Sequence, residues 1–465
     1  MRDLAPTQSK THAARSGAIV TGAQVVRKAA TPYRGSDIAA ELLQRLFHRL
    51  PLRFAIRLWD ETVIEAGSGD GPRADFELAF RNPEAVCSTI LGRDPLRLAE
   101  SYFRGDMDIE GDLFAALALK DHLEALQLSL GEQLGAVTAA LRLRAWNADR
   151  RAPRAGEAPA YGNSVRAHSK LENREAIHFH YDVSNDFYAL WLDRAMVYSC
   201  AYFEDAAVDL DHAQAAKLDH ICRKLALEPG ERFLDVGCGW GALVIHAARE
   251  YGVIAHGITL SAQQLELAQQ RIAEAGLQDR VHVELRDYRD LEGEGSYDKV
   301  ASVGMVEHVG LKNLPVYFAT VHRLLKPHGL FLNHGITHDA EGWKKTMSTE
   351  FINRYVFPDG ELDSIGSIQR VIEKARFEIA DVEALRPHYA MTLRHWVARL
   401  ESHHAEALSF VNEATYRVWR LYMAACALDF ERGEIGIYQV LVAKRAPGRL
   451  PLPLTRRYMY DHPAR

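Results

Sequence analysis

From about residue 175 onward, short apolar runs alternate with amphipathic stretches, and that alternation predicts strands separated by helices. The runs 232-RFLDVG-237, 253-VIAHGITL-260, 281-VHVELRD-287, 297-YDKVASVG-304, 329-GLFLNHGI-336, 377-FEIADVEAL-385 and 436-GIYQVLVAK-444 read as strands. Together they build a seven-stranded, mainly parallel sheet covered on both faces, an α/β doubly wound core over residues 175–465. Upstream the pattern changes. Alternating stretches in 51-PLRFAIRLWDETVIEAG-67 and 73-RADFELAFRNPEAV-86 predict strands, and 96-LRLAESYFRGDMDI-109 predicts a helix. Through 113–146 apolar residues recur at helical spacing, which predicts one or two long amphipathic helices. Residues 36–145 therefore form a smaller N-terminal α+β domain. Residues 146–174, with Arg150, Arg151, Arg154, Arg166 and Lys170 among Gly and Pro, read as a basic linker, and residues 1–35 as a flexible tail without the apolar segment of a signal peptide.

Composition adds constraints more than direction. A chain of 465 residues is long for one domain, and a formal net charge of −6 gives no general attraction to nucleic acid or anionic lipid. The five cysteines are scattered, with no CxxC pair, and fit a reducing cytoplasm. No run approaches the roughly 20 apolar residues of a spanning helix, so the expectation is a soluble or peripheral protein.

The first candidate chemistry is 233-FLDVGCGWG-241, where a strand ending in Asp235 runs into Gly237, Gly239 and Gly241 before a helix. Glycines there let the chain turn sharply and let backbone N–H groups approach a ligand. The GxGxG spacing differs from the dinucleotide fingerprint, and 257-GITLS-261 lacks the acidic residue that would hold a nicotinamide cofactor's ribose. S-adenosylmethionine fits better: its amino-acid end can sit on the glycine turn, and its ribose and adenine reach Thr259, Gln264 and Tyr288. The alternative for Tyr288 is an ordinary surface aromatic.

With 179-FHYDVSNDFYALWLD-193, 198-YSCAYFE-204, 286-RDYRDL-291, 303-VGMVEHVG-310, 331-FLNHGI-336, 351-FINRYVFPDG-360 and 389-YAMTLRHW-396 added in order, the chain resembles the cyclopropane fatty acid synthase family. That family includes bacterial phospholipid enzymes and mycolic acid cyclopropane synthases. The resemblance implies a class I S-adenosylmethionine methyltransferase core that transfers a methylene to a cis double bond of a phospholipid acyl chain. An alkene is a poor nucleophile, so positioning has to supply on the order of 7–11 kcal/mol. The carbocation left by methyl transfer must then lose a proton before water reaches it. Tyr181, Phe187, Tyr188, Tyr198, Tyr202, Phe203 and Tyr389 are candidate walls of a dry, electron-rich pocket, with core packing as the alternative for each.

A bare carboxylate among hydrocarbon is a poor base because burial favours its protonated form. The resemblance implies a bound bicarbonate instead, held by Cys200, Glu307, His334, the backbone of Ile336, and Tyr389. In that arrangement His334 and Tyr389 donate, while Glu307 accepts the anion's proton and orients His334. The cofactor set is then Tyr198, Ser199, Asp235, Gly237, Gly239, Gly241, Thr259, Gln264 and Tyr288. A Cys200–His334 nucleophilic pair lacks an oxyanion hole, and a metal site of Glu307, His308 and His334 lacks a fourth ligand. The expectation is no metal, with His308 structural. Gly335 stands where the family often has threonine, and Asp363 where it usually has proline.

The substrate lies in a bilayer, so the resemblance implies a protein bound peripherally to the inner face of the membrane. The N-terminal domain and the basic 142-RLRAWNADRR-151 are candidate docking surfaces. Family resemblance also suggests a homodimer; nucleic acid is not an expected partner. Two alternatives stand beside cyclopropanation. One is a lipid C-methyltransferase giving methyl-branched, methylene or hydroxylated chains; the other is a non-catalytic lipid-binding protein.

Overall fold

The computed structural model describes residues 25–26, 35–68, 72–92, 95–124, 129–147, 183–343, 347–357, 360–450 and 452–460. These fall into two compact units, one within Met1–Leu91 and Met107–Arg151, the other within Gly92–Asp106 and Ala152–Arg465. Residues 148–174 of the basic linker lie outside the described residues, as does Tyr181.

The first unit is a five-stranded sheet in the order β1-β3-β2-β4-β5, where β1 is Val25–Val26, β2 Arg53–Arg57, β3 Val63–Ala66, β4 Arg73–Phe80 and β5 Met107–Gly111. One face buries Phe54, Ile56, Ile64 and Phe76, with the Phe54 and Phe76 rings stacked at 5.1 Å. Two expectations change here. Val25–Val26, read as flexible tail, pairs antiparallel with β3 through Val25 with Ile64 and Val26 with Val63. The helix expected over 96–109 spans only Pro95–Phe103, which belongs to the second unit. Gly105 then turns the chain with a positive φ of 72°. Met107 and Ile109 alternate inward as β5 against β4, a two-residue period within a segment too short to display it. The long amphipathic stretch resolves into two helices, Leu113–Glu124 and Leu130–Asn147.

The second unit carries a seven-stranded sheet in the order β11-β12-β10-β9-β6-β7-β8. Its strands are β6 Arg232–Val236, β7 Ile254–Thr259, β8 Val281–Leu285, β9 Tyr297–Val303, β10 Leu325–His338, β11 Phe377–Ala384 and β12 Ile435–Lys444. Each matches one of the predicted runs. β6 through β10 pair in parallel, while β12 runs antiparallel to both β10 and β11. Apolar clusters cover both faces: Ile221, Phe233, Val244 and Leu332 lie in one, Leu234, Val300, Phe318 and Phe331 in the other. The chain leaves β6 toward β7 on one side and meets β9 on the other, so a crevice opens at the carboxyl ends of these strands.

Candidate active site

That crevice holds a cavity lined by the glycine turn and by segments 196–199, 258–260 and 303–305. Tyr198, Ser199, Asp235, Gly237, Gly239, Thr259, Gln264 and Tyr288 all line it. Gly241 sits just beyond, as the left-handed N-cap of the helix Ala242–Tyr251. At Gly237, with φ of 83°, a Cβ would lie 2.5 Å from Met305 Cγ, so only glycine allows the turn to close on the loop after β9. Thr259 Oγ1 donates to Gln264 Oε1 at 2.7 Å and accepts the Ser261 N–H, which locks the end of β7 to the next helix. Tyr288 is buried edge-on against Tyr317 and lies beneath the Arg289 guanidinium, a wall position and not a surface one.

Sequence reasoning missed Lys217. It projects from the helix Leu210–Lys224 into the cavity lining, fully buried, and donates to Ser199 Oγ at 2.8 Å. Burial pulls its ammonium down to about 8, against the attraction of Asp193, Cys200 and Asp235. Burial likewise pushes the Asp235 carboxyl up to about 7, with Lys217 opposing, and Asp235 Oδ1 has no hydrogen-bond partner. A ligand with both a carboxylate and an ammonium would compensate both groups, which is the chemistry of the cofactor's amino-acid end. The signal was available: Leu210, Ala213, Gln214, Lys217 and Ile221 share one helical stripe, so Lys217 occupies an otherwise inward-facing position. Trp240, which lines the cavity and donates through Nε1 to Asn185 Oδ1 at 2.8 Å, was also not singled out.

Of the proposed anion ligands, Glu307 lies just after β9 while His334 and Ile336 lie on β10; Cys200 sits in the loop before the helix Leu210–Lys224 and Tyr389 on the helix Arg386–Ser402. β9 is followed by a single helical turn, Val306–Val309, which carries Glu307. Gly304 N–H donates to His334 O at 2.9 Å, and Ile336 N–H donates to Glu307 Oε1 at 3.0 Å. Glu307 thus takes the place along β10 that a further residue of β9 would fill. Its other oxygen is buried without a partner, and burial pushes the carboxyl above its ordinary range. His334 Nδ1 meets Gln439 Nε2 at 3.3 Å, while its Nε2 is buried and unpartnered. Burial, reinforced by the nearby Lys217 and Lys224, holds this ring well below its usual range and therefore neutral.

Several expectations are corrected. No hydrogen bond joins Glu307 to His334, whose orienting partner is Gln439. The Ile336 N–H is engaged by Glu307 and is not open to an anion. His308, expected to be structural, lines the cavity. Tyr202 stacks on His220 at 4.3 Å and on His388 at 5.0 Å, and Phe203 stacks on His395. Both therefore face a histidine cluster and not the cavity. Phe187, Tyr188 and Tyr198 pack with Trp191 and Trp419, and of these three only Tyr198 reaches the cavity lining. Cys200 is fully buried, with Sγ directed at Ala201 O and Leu385 O, and burial pushes its thiol far up. A thiol held protonated is neither a ready nucleophile nor a ready metal ligand. Leu385 O also accepts the Tyr389 N–H at 3.2 Å, so one carbonyl ties Cys200 to the first turn of the helix that carries Tyr389.

Residues 168–440 match the family described as mycolic acid cyclopropane synthetase. A probable fatty acid methyltransferase from Pseudomonas putida is 41% identical over 88% of this chain and 96% of its own length. Cyclopropane-fatty-acyl-phospholipid synthase of Escherichia coli is 36% identical, over 83% of this chain and 93% of its own. Among solved structures, the mycolic acid cyclopropane synthase CmaA1 complexed with SAH and CTAB superposes with a TM-score of 0.55 at 34% identity. It covers 58% of this chain and 98% of that one. The chain belongs to the mycolic acid cyclopropane synthetase family and is an enzyme with the fold of the S-adenosylmethionine-dependent methyltransferases.

Proposed function

We propose that this enzyme transfers a methylene group from S-adenosylmethionine to a cis double bond of an unsaturated phospholipid acyl chain, closing a cyclopropane ring. The observation that carries the reading is the pair of buried, unpartnered polar atoms Glu307 Oε2, just after β9, and His334 Nε2, on β10 opposite Val303 at the end of β9, where residues 303–305 line the cofactor cavity. An unmade buried hydrogen bond costs about 1–3 kcal/mol, and retaining two such atoms in a folded core fits a site completed by a bound group. A small oxyanion has the right donor and acceptor demands, and bicarbonate is the one the resemblance implies. Glu307 would accept its proton, and His334 and Tyr389 would donate to its oxygens. When bound, bicarbonate supplies the base for the proton of the transferred methyl. S-adenosylmethionine supplies the electrophilic methyl, with Lys217, Ser199 and Asp235 compensating its amino-acid end.

The helix Leu130–Asn147 supports approach from a membrane surface. Leu134 and Leu141, two helical turns apart, are 69% and 53% exposed, and Arg142 and Arg144 are exposed near Leu141. Each such arginine contributes about 1 kcal/mol near an anionic surface.

A second reading is favoured by the Pseudomonas relative's name: the same methyl transfer ending in a methyl-branched or methylene chain. Incubation with cofactor carrying a trideuterated methyl and vesicles of a cis-monounsaturated phospholipid, followed by fatty-acid mass spectrometry, separates these. Ring closure and an exocyclic methylene each leave two deuterium atoms in the product, whereas a methyl-branched olefin, formed when the carbocation loses a proton from the chain instead, retains all three. Proton NMR then distinguishes a ring from an exocyclic methylene, and no turnover on any unsaturated phospholipid overturns both readings.

A further inference from the structure

Three strands carry a polar row across the sheet, buried at His334 and Gln439 and part-buried at Glu383. His334 on β10 is directly opposite Gln439 on β12, which is directly opposite Glu383 on β11. Residues directly opposite on neighbouring strands share a face, so the three side chains form one line. The helix Leu210–Lys224 covers it: His220 Nε2 meets Glu383 Oε2 at 2.8 Å, and Lys224 Nζ meets the same oxygen at 2.5 Å. Tyr460 OH donates to Oε1 at 3.4 Å, so Glu383 is occupied by three side chains, and Gln439 is left as the group that contacts His334. Gln439 and His334 are both essentially without solvent exposure.

A neutral imidazole has one donor nitrogen and one acceptor nitrogen, and the partner of one decides the role of the other. Gln439 presents its amide nitrogen, a donor, to Nδ1. With the amide in this orientation Nδ1 accepts and the ring proton resides on Nε2, which, like Gln439 Oε1, is buried and unpartnered. We propose that Gln439 is a positioning residue that fixes His334 as the Nε2–H tautomer, so that the ring presents a hydrogen-bond donor to an oxyanion bound beside it. The role assigned to that donor rests on the function proposed above, but the tautomer itself does not. Lys217 and Lys224 on the covering helix act in the same direction, because their charges disfavour a second proton on the ring.

The test joins spectroscopy to turnover. In protein labelled with nitrogen-15 at histidine, the His334 signals are assigned by their loss in His334→Gln. The wild type is expected to show Nδ1 at the unprotonated position and Nε2 at the protonated one. Gln439→Glu supplies an acceptor where a donor stood and should reverse the two positions. Cyclopropane formation should then fall by about 10- to 100-fold, the scale of losing a partner that orients a ligand-binding histidine, with melting checked to show that the variant is folded. Gln439→Leu removes the donor without supplying an acceptor and should fall less. A protonated Nδ1 in the wild type overturns the proposal, as does a folded Gln439→Glu variant with undiminished turnover. An unprotonated Nδ1 in a wild type that turns over no lipid upholds the tautomer and overturns the functional reading instead.

Discussion

Glu307 Oε1 accepts the backbone N–H of Ile336 at 3.0 Å, so a side chain closes the ladder between β9 and β10 where backbone would otherwise do so. One oxygen is spent on architecture and the other, like His334 Nε2, is held buried and unpartnered. Glu307→Gln can preserve the first role through its amide oxygen while removing the charge. Turnover is expected to fall by about 10²- to 10⁴-fold, the range of acid–base contributions. The melting temperature should hold or rise, because a desolvated carboxyl has been replaced by a neutral amide. Activity assays and thermal melts on one preparation check both.

Asp235 sets a pH dependence of stability. Its folded-state value of about 7 lies above its unfolded value of 3.8, so between them the folded protein binds more protons than the unfolded chain. Stability therefore declines as pH rises from about 4 to about 7, and the loss persists above 7. Asp235→Asn should gain on the wild type across that window and remain ahead above it, by at most about 4 kcal/mol at 1.36 kcal/mol per unit. Denaturant melts at a series of pH values measure the difference. Cofactor binding, titrated calorimetrically, should weaken in the same variant.

Gly335 is a packing constraint. A Cβ there would lie 2.2 Å from Val306 Cγ1 and 3.5 Å from Glu307 Oε2. Gly335→Thr, the residue frequent in the family, should cost about 1–3 kcal/mol as an overpacked substitution. Adding Val306→Ala should restore part of that loss, which a double-mutant cycle in denaturant would quantify. Strict additivity of the two changes would contradict the contact.

Cys200 is expected to be chemically quiet. Its burial and protonated thiol predict no alkylation by iodoacetamide while the protein is folded. Cys200→Ala should keep turnover within about tenfold of wild type, because the thiol is directed at the Ala201 and Leu385 carbonyls. A loss as deep as that of Glu307→Gln would give the thiol itself a part in the chemistry.

The catalytic fold was legible because each central strand is a short apolar run bounded by turn residues, and the glycine turn fixed the end of β6. β5 was not legible: Met107 and Ile109 show a two-residue period only over five positions, directly after a helix. Lys217 escaped because a lysine in an amphipathic helix ordinarily belongs to the solvated face, and only its place on the inward stripe marks it. Tyr202 and Phe203 sit in the same aromatic run as Tyr198, yet turn to a histidine cluster. Proximity in sequence does not decide which side of a loop a ring takes. Gln439 could not be found from sequence, since it meets His334 only through the antiparallel register of β10 and β12.

The most direct test of the account is proton NMR of the lipids recovered after the purified enzyme has turned over S-adenosylmethionine on vesicles of a cis-monounsaturated phospholipid. High-field cyclopropane signals in the wild-type product, absent with Glu307→Gln, are the predicted result. Cofactor consumption that leaves only methyl-branched, methylene or hydroxylated chains, or cyclopropane signals undiminished in Glu307→Gln, would contradict it.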